Sequence, residues 1–252
     1  MGFLYVAAAS AAAPTSVGDY ASLPSSADDG DWRTTADNGK AYRAKKAVGD
    51  PLVWLPPEVR ARITGYATNA SGEAYMIPSD ALGDATTRGW VDASSVGGVC
   101  TKAADNPLQI DASGGGSARW RFTPTALAAS ILIAVHVEDL DGAAQGSCVA
   151  YLGNGSYWAD LSLSTGAAGK VQWGSGTDPG QGLITLAMPE WVFVIFDAAD
   201  ADDAALITTP DQRRVCALDR GNYSVGSTVD YTLYCLNAKT TQLNEIHIFN
   251  LS

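Results

Sequence analysis

Aromatic and amide side chains in three Gly-rich segments of the C-terminal half have the chemistry to hold a sugar. The segments read YLGNGSYW, QWGSG and RGNYSVG. A flat ring packs on the C–H face of a sugar, and a neighbouring amide bonds its hydroxyls. The alternative is core packing, because Trp is usually largely buried. The candidate carbohydrate-binding residues are Asn154, Tyr157, Trp158, Trp173, Asn222 and Tyr223.

Groups that could act as general acids or bases are sparse. His136 and His247 both lie in strand-like runs, and either could be a general base. A structural role is the stronger interpretation, because no G-x-S-x-G nucleophile motif accompanies them. Glycosidases use paired carboxylates, but none of the five Glu residues lies in a Glu-x-Asp-x-x-Glu pattern. VEDLDG (Val137–Gly142), with Glu138, Asp139 and Asp141, is interpreted as a turn. The sequence therefore predicts a protein that is not an enzyme.

Hard oxygen ligands cluster in the segment DAADADDAALITTPD, which carries Asp197, Asp200, Asp202, Asp203 and Asp211. Calcium favours such loops, yet no Gly follows at the spacing of an EF-hand and no Glu closes the loop. A solvated acidic loop is the favoured interpretation, and a Ca²⁺ site is the alternative. No cofactor is predicted.

The four cysteines are Cys100, Cys148, Cys216 and Cys235, and none forms a CxxC pair. Zinc-site spacing is therefore absent. Three of the four lie inside strand-like segments. Reduced core thiols are favoured, with disulfides as the alternative.

Composition and charge exclude several classes of partner. The 252 residues carry a net charge of −11, with a pI near 4.4, so a nucleic-acid surface, which needs clustered Lys and Arg, is not expected. The sequence has no run of about 18 apolar residues and so predicts no membrane span. The opening MGFLYVAAASAAAPTS lacks a Lys or Arg before its apolar run, which favours a mature N-terminal arm over a signal peptide.

The elements that would position these residues are short strands. From about residue 105, β-branched and aromatic runs alternate with Gly, Asn, Asp and Pro, which is typical of an all-β sandwich or jelly roll. ILIAV and WVFVIF are apolar throughout and predict strands covered on both faces. We expect residues 105–252 to form a two-sheet antiparallel jelly-roll sandwich, after a connector with the first strands at 61–104.

Residues 1–60 are predicted to form a separate N-terminal arm and hairpin. SLPSSADDGDWRTTADNGKAYR contains the pair Asn38–Gly39, which favours a tight type I′ turn. The following PLVWLPPEV is rich in Pro, which argues against a central strand and favours an extended docking segment. So small a unit is marginal on its own, and we expect contact with a partner to order it, with Trp54 as the buried anchor.

Two resemblances connect these features to known families. QLNEIHIFNLS, MPEWVFVIFD and ADLSLSTGAAGKVQWGSG resemble the closing strand, a central strand and a hairpin of concanavalin A-like (laminin G-like) jelly rolls. The N-terminal pieces Tyr20–Pro24, Gly30–Trp32, Tyr42–Arg43 and Trp54–Pro57 are similar to segments of bacteriophage tail-fibre and virion appendage proteins. The first resemblance implies the fold, and the second implies an adaptor that docks on a particle.

The second resemblance implies a virion structural protein, with the jelly roll projecting and available to bind a host surface glycan. Other virion proteins are the implied partners, and a fibre implies a homotrimer. The attachment residues would be Trp32, Tyr42, Trp54, Pro56 and Pro57. The alternatives are a secreted or cell-surface carbohydrate-binding module and, third, a glycan hydrolase.

Overall fold

A computed structural model describes residues 15–46, 52–126, 130–140, 147–153, 158–162, 170–173, 189–197, 205–209, 214–218, 230–235 and 239–252. The chain divides into two compact units, Met1–Arg60 and Ala61–Ser252.

The first unit is a small sheet with its own core. Its described strands are β1 (Thr15–Val17), β2 (Trp32–Thr35), β3 (Ala41–Lys46) and β4 (Leu52–Leu55), in that spatial order, with a 3₁₀ turn at Tyr20–Ser22. β1 is parallel to β2, and the other pairs are antiparallel. The predicted hairpin is thus β2–β3, widened by a strand on each side. Tyr42, Ala44 and Trp54 form the core.

The turn between β2 and β3 lies at the predicted position, but its predicted type is wrong. The amide of Thr35 donates to the carbonyl of Lys40 at 2.9 Å, so residues 36–39 form a four-residue loop. Gly39 has φ +68°, whereas Asn38 has a negative φ, and a type I′ turn needs positive values at both central residues. The Asn38 side chain accepts from the Lys40 amide and the Thr35 hydroxyl, which stabilises the longer loop.

The Pro-flanked segment forms an outer strand and then a helix. β4 pairs with β3 alone among the described strands, so the prolines that surround it interrupt no ladder on its other side. The short helix α1 (Pro57–Arg62) begins at Pro57, where the missing N–H costs no helical hydrogen bond.

The second unit holds all remaining described strands and the helix α2 (Leu82–Thr87). The strands are β5 (Ile63–Tyr66), β6 (Tyr75–Met76), β7 (Trp90–Asp92), β8 (Val99–Thr101), β9 (Leu108–Asp111), β10 (Ala118–Phe122), β11 (Ser130–Leu140), β12 (Ser147–Gly153), β13 (Trp158–Ser162), β14 (Lys170–Trp173), β15 (Glu190–Asp197), β16 (Ala205–Thr208), β17 (Arg214–Leu218), β18 (Asp230–Cys235) and β19 (Thr240–Leu251).

These strands form two antiparallel sheets. Among the described residues, the smaller sheet has the order β14-β13-β12-β18-β10-β7. The larger has the order β17-β16-β15-β11-β19-β9-β8, and β5 and β6 also pair with β19. Strands from residues 61–104 therefore contribute to both sheets. The predicted all-β, two-sheet antiparallel jelly-roll sandwich is confirmed.

The core of the second unit lies between its two sheets. Trp90 and Trp120 of the smaller sheet are fully buried and stack with ring centroids 5.8 Å apart. Ile133, Ile246 and Ile248 of the larger sheet belong to the same cluster. We call the side of the larger sheet that carries these isoleucines its inner face, and the opposite side its outer face.

The strand β19 ties the second unit together. It pairs with β11, β9, β5 and β6, and it corresponds to the segment that the sequence predicted as the closing strand. At its end, the amide of Ser252 donates to the carbonyl of Arg62 at 2.8 Å, and Nε of Arg62 donates to the carbonyl of Ser252 at 3.1 Å. The first and last described segments of this unit are therefore joined.

Candidate functional site

Three strands of the larger sheet place an aromatic, an imidazole and a carboxylate side by side. In the strand register, His136 of β11 lies between Trp191 of β15 and Glu245 of β19. Val135, Val192 and Ile246, each next in sequence to one of these residues, belong to the core. Because successive side chains in a strand alternate, the row of Trp191, His136 and Glu245 lies on the outer face.

A buried histidine contacts the residues at both ends of this row. Nε2 of His247 lies 2.7 Å from Oε1 of Glu245, and Nδ1 lies 3.0 Å from the hydroxyl of Tyr66. An ionised Glu245 accepts the Nε2 proton, which leaves Nδ1 to accept from the Tyr66 hydroxyl. The His247 ring also stacks on Trp191, with ring centroids 6.1 Å apart. Glu245 and Trp191 are thus both held by a fully buried side chain.

Two β-bulges interrupt the ladder next to the row. His136 pairs with Glu245, and Val137 pairs with Leu243, so Asn244 is an extra residue in β19. Asp139 pairs with Gln242, which makes Glu138 an extra residue in β11. Bulges re-aim side chains and occur often beside active sites. Here they bring Glu138 within 4.0 Å of Nδ1 of His136 and return Gln242 to the outer face.

The environment of His136 keeps its imidazole neutral near pH 7. Burial lowers the pKa of His136, although Glu138 and Glu245 oppose that shift. The ring centroid lies 5.4 Å from that of Trp191, and Nδ1 forms no hydrogen bond to any described residue. Nδ1 is also buried, so a bound hydroxyl would have to reach the other ring nitrogen, which in a neutral imidazole can accept or donate a hydrogen bond.

The predicted sugar-binding residues fall outside what the structure describes. Asn154, Tyr157, Asn222 and Tyr223 lie beyond the described residues. The backbones of Trp158 and Trp173 lie in the neighbouring strands β13 and β14, where Trp173 pairs with Ala159, but their side chains are outside the described part. Their binding role stays a prediction.

The predicted attachment residues divide into buried and exposed positions. Tyr42 is fully buried and Trp54 is 5% exposed, and both lie in the core of the first unit. Nε1 of Trp54 donates to the carbonyl of Pro24 at 2.9 Å, so this ring is already held without a partner. Pro56 is buried and Pro57 begins α1. Trp32 is 40% exposed, with the Arg43 guanidinium 5.3 Å from its ring centroid.

Other predicted sites have limited structural coverage. Within the described residues, no group of three or more His, Cys, Asp or Glu side chains could hold a metal. Asp197 ends β15, and the rest of the predicted calcium cluster lies outside those residues. Cys100 and Cys235 are buried and form no disulfide, and burial raises the pKa of Cys100 to about 12. No helix of the described part is long and apolar enough to cross a membrane.

Sequence reasoning identified part of the outer-face cluster. It singled out His136 and His247 as possible bases and favoured a structural role, which the burial of His247 fits. The sequence does not indicate that Trp191, Glu245 and Tyr66 belong to the cluster, because their proximity depends on the pairing of β15, β11, β19 and β5. The one local signal was the charged Glu245 in NEIHIF, which directly precedes the core residue Ile246.

Comparison with solved structures gives fold-level matches. The "Crh5 transglycosylase in complex with NAG" has 12% identity and a TM-score of 0.50, over 76% of this chain and 89% of that chain. A carbohydrate esterase from Shiga toxin-encoding bacteriophage phi24B has 12% identity and a TM-score of 0.45, over 71% and 97%. A legume lectin-like domain from Entamoeba histolytica has 9% identity and a TM-score of 0.46, over 71% and 97%.

No protein-family model matches the sequence, and no curated protein matches it. At 12% identity, the likeness to the transglycosylase shows a shared fold alone. The chain therefore shares a β-sandwich fold with that transglycosylase.

Proposed function

We propose that this protein binds carbohydrate on the outer face of the larger sheet. The observation that carries the proposal is the row of Trp191, His136 and Glu245, held by His247 and flanked by two bulges. A partly exposed indole supplies apolar area to a sugar ring, while the imidazole and carboxylate bond its hydroxyls. A fold shared with a transglycosylase solved with NAG is compatible with this function.

We propose further that the protein is a non-enzymatic virion appendage, attached to the particle by its first unit. Support comes from the N-terminal resemblance and from Trp32, an exposed aromatic in that unit. Single sugar contacts are weak, so several copies in one assembly, such as a homotrimer, would raise avidity. A secreted or cell-surface carbohydrate-binding module is the alternative, and it would need no particle to attach to.

Two tryptophan variants test the two halves of the proposal separately. Trp191→Ala should lower binding in a glycan screen at least tenfold while leaving incorporation into particles intact. Trp32→Ala, the matched control, should lower incorporation into particles and leave glycan binding intact. Trp191→Phe guards against misfolding, because it keeps an aromatic face and should bind at an intermediate level. Equal glycan binding by Trp191→Ala and the wild type would overturn the outer-face site.

The same screen, repeated with EDTA, tests the calcium alternative. Loss of binding on chelation would assign Ca²⁺ to the Asp197–Asp211 segment, whereas unchanged binding agrees with the predicted absence of a cofactor.

A glycan hydrolase is the third candidate, and two carboxylates beside His136 favour it. Glu245 is its cross-strand neighbour, and Glu138 lies 4.0 Å from its Nδ1. Glycosidases use such a pair as acid and as base or nucleophile. Incubating the protein with labelled oligosaccharides and separating the products decides the matter. Cleavage that disappears in both Glu138→Gln and Glu245→Gln would replace the non-enzymatic proposal.

A further inference from the structure

A second polar feature lies on the outer face, beyond the bulges. It is an open hollow of about 610 Å³, within the range of small-molecule sites. Its lining includes Thr101, Lys102, Asn106, Pro107, Gln109 and Gln242.

The strand register places the hollow's polar side chains in a second row. Thr101 of β8 pairs with Gln109 of β9, and Gln109 pairs with Gln242 of β19. Leu108 and Leu243 belong to the core. Gln109 and Gln242, each next in sequence to one of these leucines, therefore lie on the outer face. Gln242 precedes Glu245 by three residues, or about 10 Å of strand at roughly 3.3 Å per residue. The two rows are close enough for one oligosaccharide to touch both.

The hollow offers neutral hydrogen-bonding groups that are uncommitted. The Gln242 amide and the Thr101 hydroxyl form no hydrogen bond to any described residue. A primary amide both donates and accepts, as a sugar hydroxyl does. The one cation in the lining is committed elsewhere, because Nζ of Lys102 donates to the carbonyls of Pro78 at 2.8 Å and Asn106 at 2.7 Å.

Carboxylates lie on the strands next to the hollow, although none lines it and its one charged lining residue is Lys102. Asp111, Glu138, Asp139 and Glu245 lie on β9, β11 and β19, and the five strands β8, β9, β11, β15 and β19 contain no Lys or Arg. Hydrogen bonds from Ser113 lower the pKa of Asp111, so that carboxylate is ionised at pH 7. These carboxylates repel an anionic ligand, and the chain's net charge of −11 adds to the repulsion.

We propose that the hollow is a subsite for a neutral sugar unit, next to the Trp191 row, and that it selects uncharged glycans over sulfated or uronic-acid glycans. This inference rests on the proposed carbohydrate-binding function. Gln242 and Gln109 bond the sugar's hydroxyls, with Nε2 of Gln109 also donating to Oδ2 of Asp111 at 3.5 Å, and the carboxylates of the neighbouring strands discriminate against anionic units.

Paired glycans and three variants test the subsite. Affinities are measured for a neutral oligosaccharide and for its sulfated counterpart, with the wild type, Gln242→Ala, Gln109→Ala and Val96→Ser. Each glutamine variant should lose about three- to tenfold in affinity for the neutral glycan, the value of one or two hydrogen bonds. Val96 is 98% exposed and does not line the hollow, so Val96→Ser should bind as the wild type does.

The possible failures are distinguishable. If both glutamine variants bind the neutral glycan as tightly as the wild type does, the subsite is overturned and the Trp191 site still stands. A wild type that prefers the sulfated glycan overturns the charge selection. A wild type that binds no glycan at all overturns the proposed function itself.

Discussion

The two faces of the larger sheet are built from the same strands and differ in polarity. On the inner face, Ile131, Ile133 and Ile248 pack with apolar and aromatic side chains of the smaller sheet. On the outer face, alternate residues of the same strands include the buried apolar Leu132, Phe193 and Phe249 as well as His136, Glu245 and His247. Apolar burial stabilises both faces, and the outer face in addition holds polar atoms that need hydrogen-bond partners when they are buried. The inner face serves the core alone, whereas the outer face combines packing with a polar cluster.

The inner face should show the largest effect on stability. Ile248→Ala removes three carbon atoms from a fully buried side chain and should lower the free energy of unfolding by about 2–5 kcal/mol. Chemical denaturation measures the loss. Val91→Ala at a position 48% exposed is the control and should cost less than about 0.5 kcal/mol. A loss at Ile248 no greater than that of the control would contradict the assigned core.

The outer face should show a smaller, polar effect. Tyr66→Phe removes the hydroxyl that lies 3.0 Å from Nδ1 of His247 and leaves that buried nitrogen without its partner. The expected loss in unfolding free energy is about 1–3 kcal/mol, because an unsatisfied buried acceptor bears its full desolvation cost. Tyr75→Phe is the matched control and should be near neutral. If the two variants unfold alike, the His247 network contributes nothing to stability.

The smallest effect should appear only on acidification. Because burial lowers the pKa of His136, the unfolded chain takes up its proton at a higher pH than the folded chain does. Its contribution to stability is complete above about pH 6.5 and is lost as the pH falls toward the folded-state pKa. Melting temperatures are measured from pH 8 to pH 5, and that of the wild type, relative to that of His136→Asn, should stay constant above about pH 6.5 and fall below it. A constant difference would exclude this titration.

The inner face could be predicted from the sequence, and the outer face could be predicted only in part. Unbroken apolar runs at Ile131–Val135 and Val192–Phe196 predicted strands covered on both sides, and every residue in them is buried. If the side chains of β19 alternated strictly, counting back from Ile248 would place Gln242 on the inner face. The bulge at Asn244 reverses that assignment, and its position depends on the pairing with β11, which no local pattern encodes.

The first unit shows the same limit. Trp54 was predicted to be buried, and it is, but in the core of its own unit. Tyr20, which lies 34 residues earlier in the sequence, donates its hydroxyl to the carbonyl of Trp54 at 2.6 Å. This long-range contact depends on the sheet order, which no local pattern shows. The proposed attachment would therefore depend on exposed groups such as Trp32.

The hydrogen bonds between Arg62 and Ser252 hold two positions that are 190 residues apart in the sequence side by side. A linker that joins them would therefore close only a short loop, with little entropic cost. A circular permutant joined in this way should fold without stretching β19 or β5.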